Sequence, residues 1–332
     1  MSWLDRFISP LGSAPPAARP DATERVFDEA LLTHLRRLAI ASGRVRAVGI
    51  AGEHRSRRRG SSPEFTDFKS YSIGDDYRRI DWGAYARLDE LFVRLSEVTT
   101  ELDVHLLLDA SDSMVWRSDP TLPTKFTYAR RLAGALGYVT LWRLDRLFLT
   151  PFGGQLGRSI GPMQGRAQML PMLRALEEMA PLGGTALAES IDRYLHARRR
   201  SGVLLVLSDL IAGEPEELRA GLRAAHLHGW QVALLHVLDA AEVAPAQAVA
   251  YLCDDAGDAN APVELIEAET GRRLLLSPTG DLVDRFEAAI ADWLMRIERV
   301  CADEGVSYVR TPTYLPLEVA LPRLLRERGV VA

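Results

Sequence analysis

The chain has 332 residues, of which 47% are apolar and 26% charged, and this composition excludes a disordered, collagen-like or disulfide-scaffold chain. Forty Lys and Arg against 45 Asp and Glu give a net charge of −5, so no overall positive field attracts nucleic acid or an anionic membrane. The two cysteines fit a reducing compartment, and no apolar run approaches the roughly 18 to 20 residues of a membrane-spanning helix. We therefore expect a cytoplasmic protein with no nucleic-acid partner and no membrane span.

The N-terminal part of the chain is predicted to form a small domain of its own. Residues 1–22 are predicted to be a tail and a Pro- and Ala-rich linker, and apolar residues at helical spacing predict a helix over about 24–42. Phe and Tyr alternate with polar residues over 65–76, which predicts a small β-rich element. We group residues 23–100 as one domain.

Strands and helices alternate from residue 102 onward, which is typical of a parallel sheet with helices on both faces. The predicted strands are 104–108, 146–152, 203–207, 231–238 and 306–310. The predicted helices are 125–143, 169–179, 186–200, 215–228 and 281–304, with a closing helical segment over 317–328. A β-hairpin inserted near 262–277 interrupts this order. The sequence thus predicts an α/β fold with a doubly wound, mostly parallel sheet over 101–332, beside the smaller N-terminal helix and β-rich extension.

Oxygen-bearing side chains follow the strands at what should be one edge of this sheet. The first strand leads directly into D-x-S-x-S, which places Asp109, Ser111 and Ser113 in one turn. Thr185 follows two glycines at the start of a helix, and Asp209 follows a strongly apolar strand. Because ligands of open α/β sheets bind at the carboxyl ends of the strands, we expect these five side chains to meet. Hard oxygen donors without His or Cys favour Mg²⁺, with Mn²⁺ or Ca²⁺ as alternatives.

The order of these motifs resembles the von Willebrand factor A fold with its metal-ion-dependent adhesion site. In that family the first loop is D-x-S-x-S, the second loop contributes Thr and the third contributes Asp. The resemblance implies that the metal ligands of this chain are Asp109, Ser111, Ser113, Thr185 and Asp209.

The segment before the first sheet strand narrows the resemblance. Its pattern, E-F-x-D-x-K-x-Y-x-x-G-D-D-x-R-x-I-D-W-x-x-x-A-R from Glu64 to Arg87, is similar to that of the bacterial DUF58 family, domain of unknown function 58. Later positions that also fit are Lys125-Phe126-x-x-Ala129, Gly183-Gly184-Thr185, Ser208-Asp209 and Glu269-Thr270-Gly271, so that the resemblance runs from about Gly43 to Arg328. Members of this family are often encoded beside MoxR-type AAA+ ATPases. The resemblance therefore implies an adaptor or partner of such an ATPase.

Binding rather than catalysis is the function that the residues favour. Five protein side chains, some acting through water, leave a position on an octahedral Mg²⁺ that a carboxylate of a partner protein can fill. An enzyme would also need a nucleophile and a base within reach, and the sequence offers no candidate for either. We therefore predict a non-enzymatic, divalent-metal-dependent protein-binding module.

Two alternatives remain open. A metal-dependent hydrolase or phosphotransferase could use the acidic cluster of Asp75, Asp76 and Asp81, although neighbouring Arg78 and Arg79 can neutralise these carboxylates. In the other alternative the fold and the ion are as predicted, but the ion serves only to stabilise the fold.

Overall fold

The computed structural model describes residues 26–27, 33, 64–72, 77, 80–97, 102–198, 200–211, 215–243, 263–266, 273–276, 280–317 and 319–321. The chain divides into two compact units, one made of 1–50 together with 102–332 and the other of 51–101. The predicted domain 23–100 combines residues of both units. The predicted tail lies outside the described residues, and of the predicted first helix only Val26, Phe27 and Thr33 are described, with Thr33 helical.

The smaller unit contains a two-stranded antiparallel sheet and one short helix. Strand β1 (Glu64–Ser70) pairs with β2 (Phe92–Glu97), and helix α1 (Trp82–Leu88) lies between them in sequence. The aromatic alternation predicted β1, whereas α1 and β2 were not predicted. Asp81 begins α1, because its carboxylate accepts hydrogen bonds from the backbone of the first helical turn.

The larger unit is built on a six-stranded sheet. Its strands are β3 (Asp103–Asp109), β4 (Arg146–Phe152), β5 (Ile160–Gln164), β6 (Val203–Ser208), β7 (Gln231–Leu238) and β10 (Ser307–Pro312), and a separate antiparallel hairpin consists of β8 (Val263–Ile266) and β9 (Arg273–Leu276). Its helices are α2 (Lys125–Trp142), α3 (Met169–Glu177), α4 (Leu187–His196), α5 (Pro215–Leu227), α6 (Ala240–Val243) and α7 (Gly280–Asp303). Among the described residues, none of the helices has the length and apolar character needed to cross a membrane.

The strand order of the sheet is β10-β7-β6-β3-β4-β5, and only β5 at one edge is antiparallel to its neighbour. The chain starts in the middle with β3, adds β4 and β5 on one side, and then returns to add β6, β7 and β10 on the other. The order therefore reverses between β3 and β6, which is the place where doubly wound sheets bind ligands. This architecture confirms the predicted α/β fold class.

Apolar side chains cover both faces of the sheet. Leu106 and Leu108 of β3 belong to a cluster with side chains of α2 and α3, whereas Leu107 belongs to a second cluster with α4, α5 and α7. Alternate residues of one strand thus enter two separate cores, because successive side chains of a strand point to opposite faces. A strand buried on both faces needs a continuous apolar run, and this is why the apolar run after Leu102 correctly predicted β3.

Candidate metal centre at the strand ends

The D-x-S-x-S loop leaves the sheet at the end of β3. Asp109 is fully buried, and its Oδ1 accepts a hydrogen bond of 2.9 Å from the backbone N–H of Ser111. This contact tightens the chain into a turn that leads into a short 3₁₀ helix, Asp112–Val115. The turn brings the hydroxyls of Ser111 and Ser113 to 3.0 Å from each other. One carboxylate and two hydroxyls of this loop therefore lie together.

The end of β6 lies beside this loop at the switch point, the place between β3 and β6 where the strand order reverses. Ser208 donates its hydroxyl hydrogen bond to Oδ2 of Asp109, and the Ser113 hydroxyl lies close enough to the carboxyl of Asp209 to lower its pKa. Leu210, the next residue, has a φ of 55°, a left-handed conformation that is uncommon for a residue other than glycine. Its N–H is bonded to the Ser208 hydroxyl at 3.0 Å, which helps to hold the turn. Four of the five predicted side chains, Asp109, Ser111, Ser113 and Asp209, thus lie close together.

The loop that carries Thr185 is tied to the same region by its backbone. The N–H of Asp112 donates to the carbonyl of Gly183 at 2.8 Å, and the N–H of Leu182 donates to the carbonyl of Ala110 at 2.6 Å. On the other side of Thr185, the N–H of Ala186 donates to Gly153 at 3.0 Å. Thr185 is half-buried beside the D-x-S-x-S loop. The loop backbone therefore holds Thr185 beside the D-x-S-x-S loop.

The two buried carboxylates have opposite electrostatic surroundings. Burial, together with the negative charge of Asp209, raises the pKa of Asp109 to about 7, although its hydrogen bonds from Ser208 and Ser111 act in the other direction. Burial also opposes the charge of Asp209, but the Lys125 ammonium outweighs it and holds the pKa of Asp209 below its usual value. In the part of the chain that the structure describes, Asp109 is acted on by hydroxyl and backbone donors and by the negative charge of Asp209, so a bound cation would favour its ionised form.

Lys125, the first residue of α2, is the positive group of this region. Its Nζ lies 2.8 Å from Oδ2 of Asp209 and 2.6 Å from Oε1 of Glu242, and all three side chains are buried. The two carboxylates outweigh the effect of burial and raise the pKa of Lys125, so the ammonium stays charged. The three groups form a buried ionic triad with one positive and two negative charges.

Two further contacts hold the strand ends in place. Asp239, directly after β7, accepts hydrogen bonds from the N–H and the hydroxyl of Ser118 and so fastens the chain after the D-x-S-x-S loop to the end of β7. His236 contacts the carbonyl oxygen of Asp209 through Nε2 at 2.8 Å and the hydroxyl of Tyr308 through Nδ1 at 2.7 Å. Burial lowers the pKa of His236 to about 3, so this imidazole is a neutral support for Asp209.

The sequence analysis assigned no role to Lys125 or Glu242. One signal was available for the lysine: Lys69 and Lys125 are the only lysines in a chain whose other basic residues are all Arg. Nothing in the sequence marks Glu242, because its contact with Lys125 joins residues 117 positions apart.

The donor set fits a hard divalent cation. Two carboxylates and two hydroxyls lie at one switch point. Burial and the charge of Asp209 disfavour the ionised form of one carboxylate, Asp109, and a bound cation would favour it. Within the described residues, no group of three or more His, Cys, Asp or Glu side chains is arranged to hold a metal. The predicted ligand set differs from such a group, because it contains two carboxylates and three hydroxyls.

The alternative acidic cluster has only one described member. Asp75 and Asp76 lie outside the described residues. Asp81 is buried, and its Oδ1 accepts hydrogen bonds from the N–H groups of Gly83 at 2.9 Å and Ala84 at 3.0 Å. This carboxylate therefore caps a helix.

The strand order and the antiparallel edge strand define the class, an α/β domain with a doubly wound, mostly parallel sheet. The family follows from the sequence. A family model described as "Protein of unknown function DUF58" matches residues 67–278, which is more than half of the chain. The chain belongs to this family.

The chain is also similar to proteins of mycobacteria and to solved structures. It is 29% identical over 286 residues to the uncharacterized protein Rv1480 of Mycobacterium tuberculosis and to the uncharacterized protein Mb1516 of Mycobacterium bovis, with 84% of each chain covered. A conserved hypothetical protein BatB from Bacteroides thetaiotaomicron matches with a TM-score of 0.42 and 17% identity over 68% of this chain and 98% of that chain. The SpRpn10 VWA domain matches with a TM-score of 0.40 and 11% identity over 70% of this chain and 100% of that chain.

Proposed function

We propose that this protein is a non-enzymatic module that binds a protein partner through a divalent cation held at the β3–β6 switch point. The proposed ligands are Asp109, Ser111, Ser113, Thr185 and Asp209, directly or through water. Mg²⁺ is the proposed ion, with Mn²⁺ or Ca²⁺ as alternatives. Bound there, the ion would supply a Lewis-acidic position for a carboxylate from outside the chain.

One observation carries this proposal. Two fully buried carboxylates, Asp109 and Asp209, lie close enough to raise the pKa of Asp109, and the paired Ser111 and Ser113 hydroxyls lie in the loop that follows Asp109. The arrangement concentrates hard oxygen donors around one place at the carboxyl edge of the sheet.

The partner that we propose is a MoxR-type AAA+ ATPase in the cytoplasm. This part of the proposal rests on the family, whose members are often encoded beside such ATPases, and on the chemistry of an open metal position that an acidic side chain can fill. A contact of this kind makes association depend on the divalent cation, because the carboxylate of the partner would be a ligand of the ion.

A pull-down of the purified ATPase tests the proposal. The protein should capture the ATPase in Mg²⁺ and lose it in a chelator, and Asp109→Asn should lose capture in either buffer. Asp112→Asn is the matched control, because Asp112 lies in the same loop with an exposed side chain, and it should behave as wild type. Capture that survives chelation would contradict the metal-dependent contact, whereas no capture in either buffer would contradict the choice of partner.

A further inference from the structure

A buried lysine occupies one side of the proposed cation site. The Nζ of Lys125 contacts Oδ2 of Asp209, so one oxygen of this predicted ligand is already paired with a positive charge. The other oxygen, Oδ1, accepts a hydrogen bond of 3.2 Å from the N–H of Ile211. On its far side Lys125 contacts Glu242, whose second oxygen accepts a 2.7 Å hydrogen bond from the N–H of Asp239. The triad thus joins helix α2 to the ends of β6 and β7.

A buried ionic triad is weak evidence of a purely stabilising role. Removing charges from water is costly, and well-packed apolar side chains often replace a buried ion pair without loss of stability. The position of the lysine has a second consequence, because any cation that approaches Asp209 must approach the ammonium as well. Two positive charges at such short range in a protein interior repel strongly, and water screens buried charges little.

We propose, on the basis of the proposed function, that Lys125 is a positioning residue that competes with the divalent cation for Asp209 and thereby sets the affinity of the site. In the metal-free protein the ammonium neutralises Asp209 and keeps the strand end folded. When a cation binds, Asp109 offers it an unpaired carboxylate, while Asp209 is shared with Lys125. Glu242 weakens the ion pair between Lys125 and Asp209, because the same ammonium also forms an ion pair with Glu242.

Two substitutions with opposite expected effects test this inference. Lys125→Met/Glu242→Gln removes one positive and one negative charge, so the net charge of the region is unchanged while Asp209 is released. We expect this variant to bind Mn²⁺ at least about tenfold more tightly than wild type, because the competing charge is gone. Glu242→Gln alone leaves the ammonium to Asp209 and should weaken Mn²⁺ binding by about threefold or more. Calorimetric titration of the full chain with Mn²⁺ alone measures both.

Opposite shifts of the two variants support the inference, since a merely structural triad would weaken binding in both. Shifts in the same direction, or no shift in either, overturn it. If wild type does not bind Mn²⁺, the proposed function itself fails, and this outcome is distinct from equal binding by all three proteins. Melting curves add a second readout: added Mn²⁺ should raise the Tm of the double variant more than that of wild type. Should the double variant not fold, Glu242→Asp takes its place, because it changes the packing of the triad and keeps its charge. Weaker Mn²⁺ binding by Glu242→Gln than by Glu242→Asp supports the inference, and equal binding by these two variants overturns it.

Discussion

Asp109 and Asp209 are both fully buried, yet the chain gives them different partners. Asp209 has the Lys125 ammonium, whereas Asp109 has hydroxyl and backbone donors from Ser208 and Ser111. Hydrogen bonds favour a buried carboxylate less than a full opposite charge does, and the pKa values of the two groups move apart accordingly. At the residue scale, the proposed site therefore contains one carboxylate paired with an ammonium, Asp209, and one that accepts hydrogen bonds from uncharged donors, Asp109.

Histidine burial predicts a loss of stability in acid. His105 lies in the middle of β3, where its Nδ1 contacts the Tyr194 hydroxyl at 2.7 Å and its ring stacks on Phe148. Burial, with smaller effects of Arg198 and Arg146, lowers its pKa from 6.5 to about 3. The unfolded chain therefore binds a proton more readily than the folded one between these values, so stability falls as the pH drops below about 6.5. By about pH 5 this single histidine should cost about 2 kcal/mol.

A substitution isolates this effect. His105→Asn keeps a polar atom near the Tyr194 hydroxyl but does not titrate. Urea unfolding at about pH 7.5 and about pH 5 should show that the variant loses about 2 kcal/mol less than wild type on acidification. His196→Gln, at an exposed position, is the control and should keep the wild-type difference. An acid-induced loss in His105→Asn as large as that of wild type would show that His105 does not contribute.

At the scale of the elements, local signals predicted the central strands and the edge strand β10, and they failed for the antiparallel edge strand β5. β3 and β6 are continuous apolar runs because they are buried on both faces, and the sequence analysis placed each to within about one residue. β5 was missed because its sequence, IGPMQ, contains Gly and Pro, which are typical of turns. An edge strand tolerates both residues, because a neighbour bonds it on one side only.

The backbone at Gly202, just before β6, packs closely against the start of β3, and this packing predicts the effect of a substitution on stability. A Cβ at Gly202 would overlap the carbonyl oxygen of Asp103, so Gly202→Ala must push β6 away from the start of β3. We expect a loss of about 2 kcal/mol or more. In helix α5, a Cβ at Gly221 would meet Ile191 at an ordinary 3.6 Å.

Gly221→Ala is therefore the matched control for Gly202→Ala. It should stabilise the protein by about 0.5 to 1 kcal/mol, because alanine favours the helix more than glycine does. Urea unfolding measures both variants. A Gly202→Ala variant as stable as wild type would contradict the close packing of these two strands.

At the scale of the whole molecule, the topology rather than any single segment creates the proposed site. Asp109 and Asp209 are far apart in sequence, and they meet because the chain begins in the middle of the sheet and returns beside its first strand. The motif order and the alternation of strands and helices were enough to predict this meeting. The roles of Lys125 and Glu242 could not be predicted, because they depend on tertiary contacts at the start of α2 and the end of β7.

Direct titration of the metal-free protein with Mg²⁺ tests the central claim, which is that these strand ends hold a divalent cation. Calorimetry should show one site in wild type and in the exposed-loop control Asp112→Asn. In Asp109→Asn, affinity should be at least about tenfold weaker, because a neutral amide replaces the unpaired carboxylate. Equal Mg²⁺ binding by all three proteins, or no binding by wild type, would contradict the account.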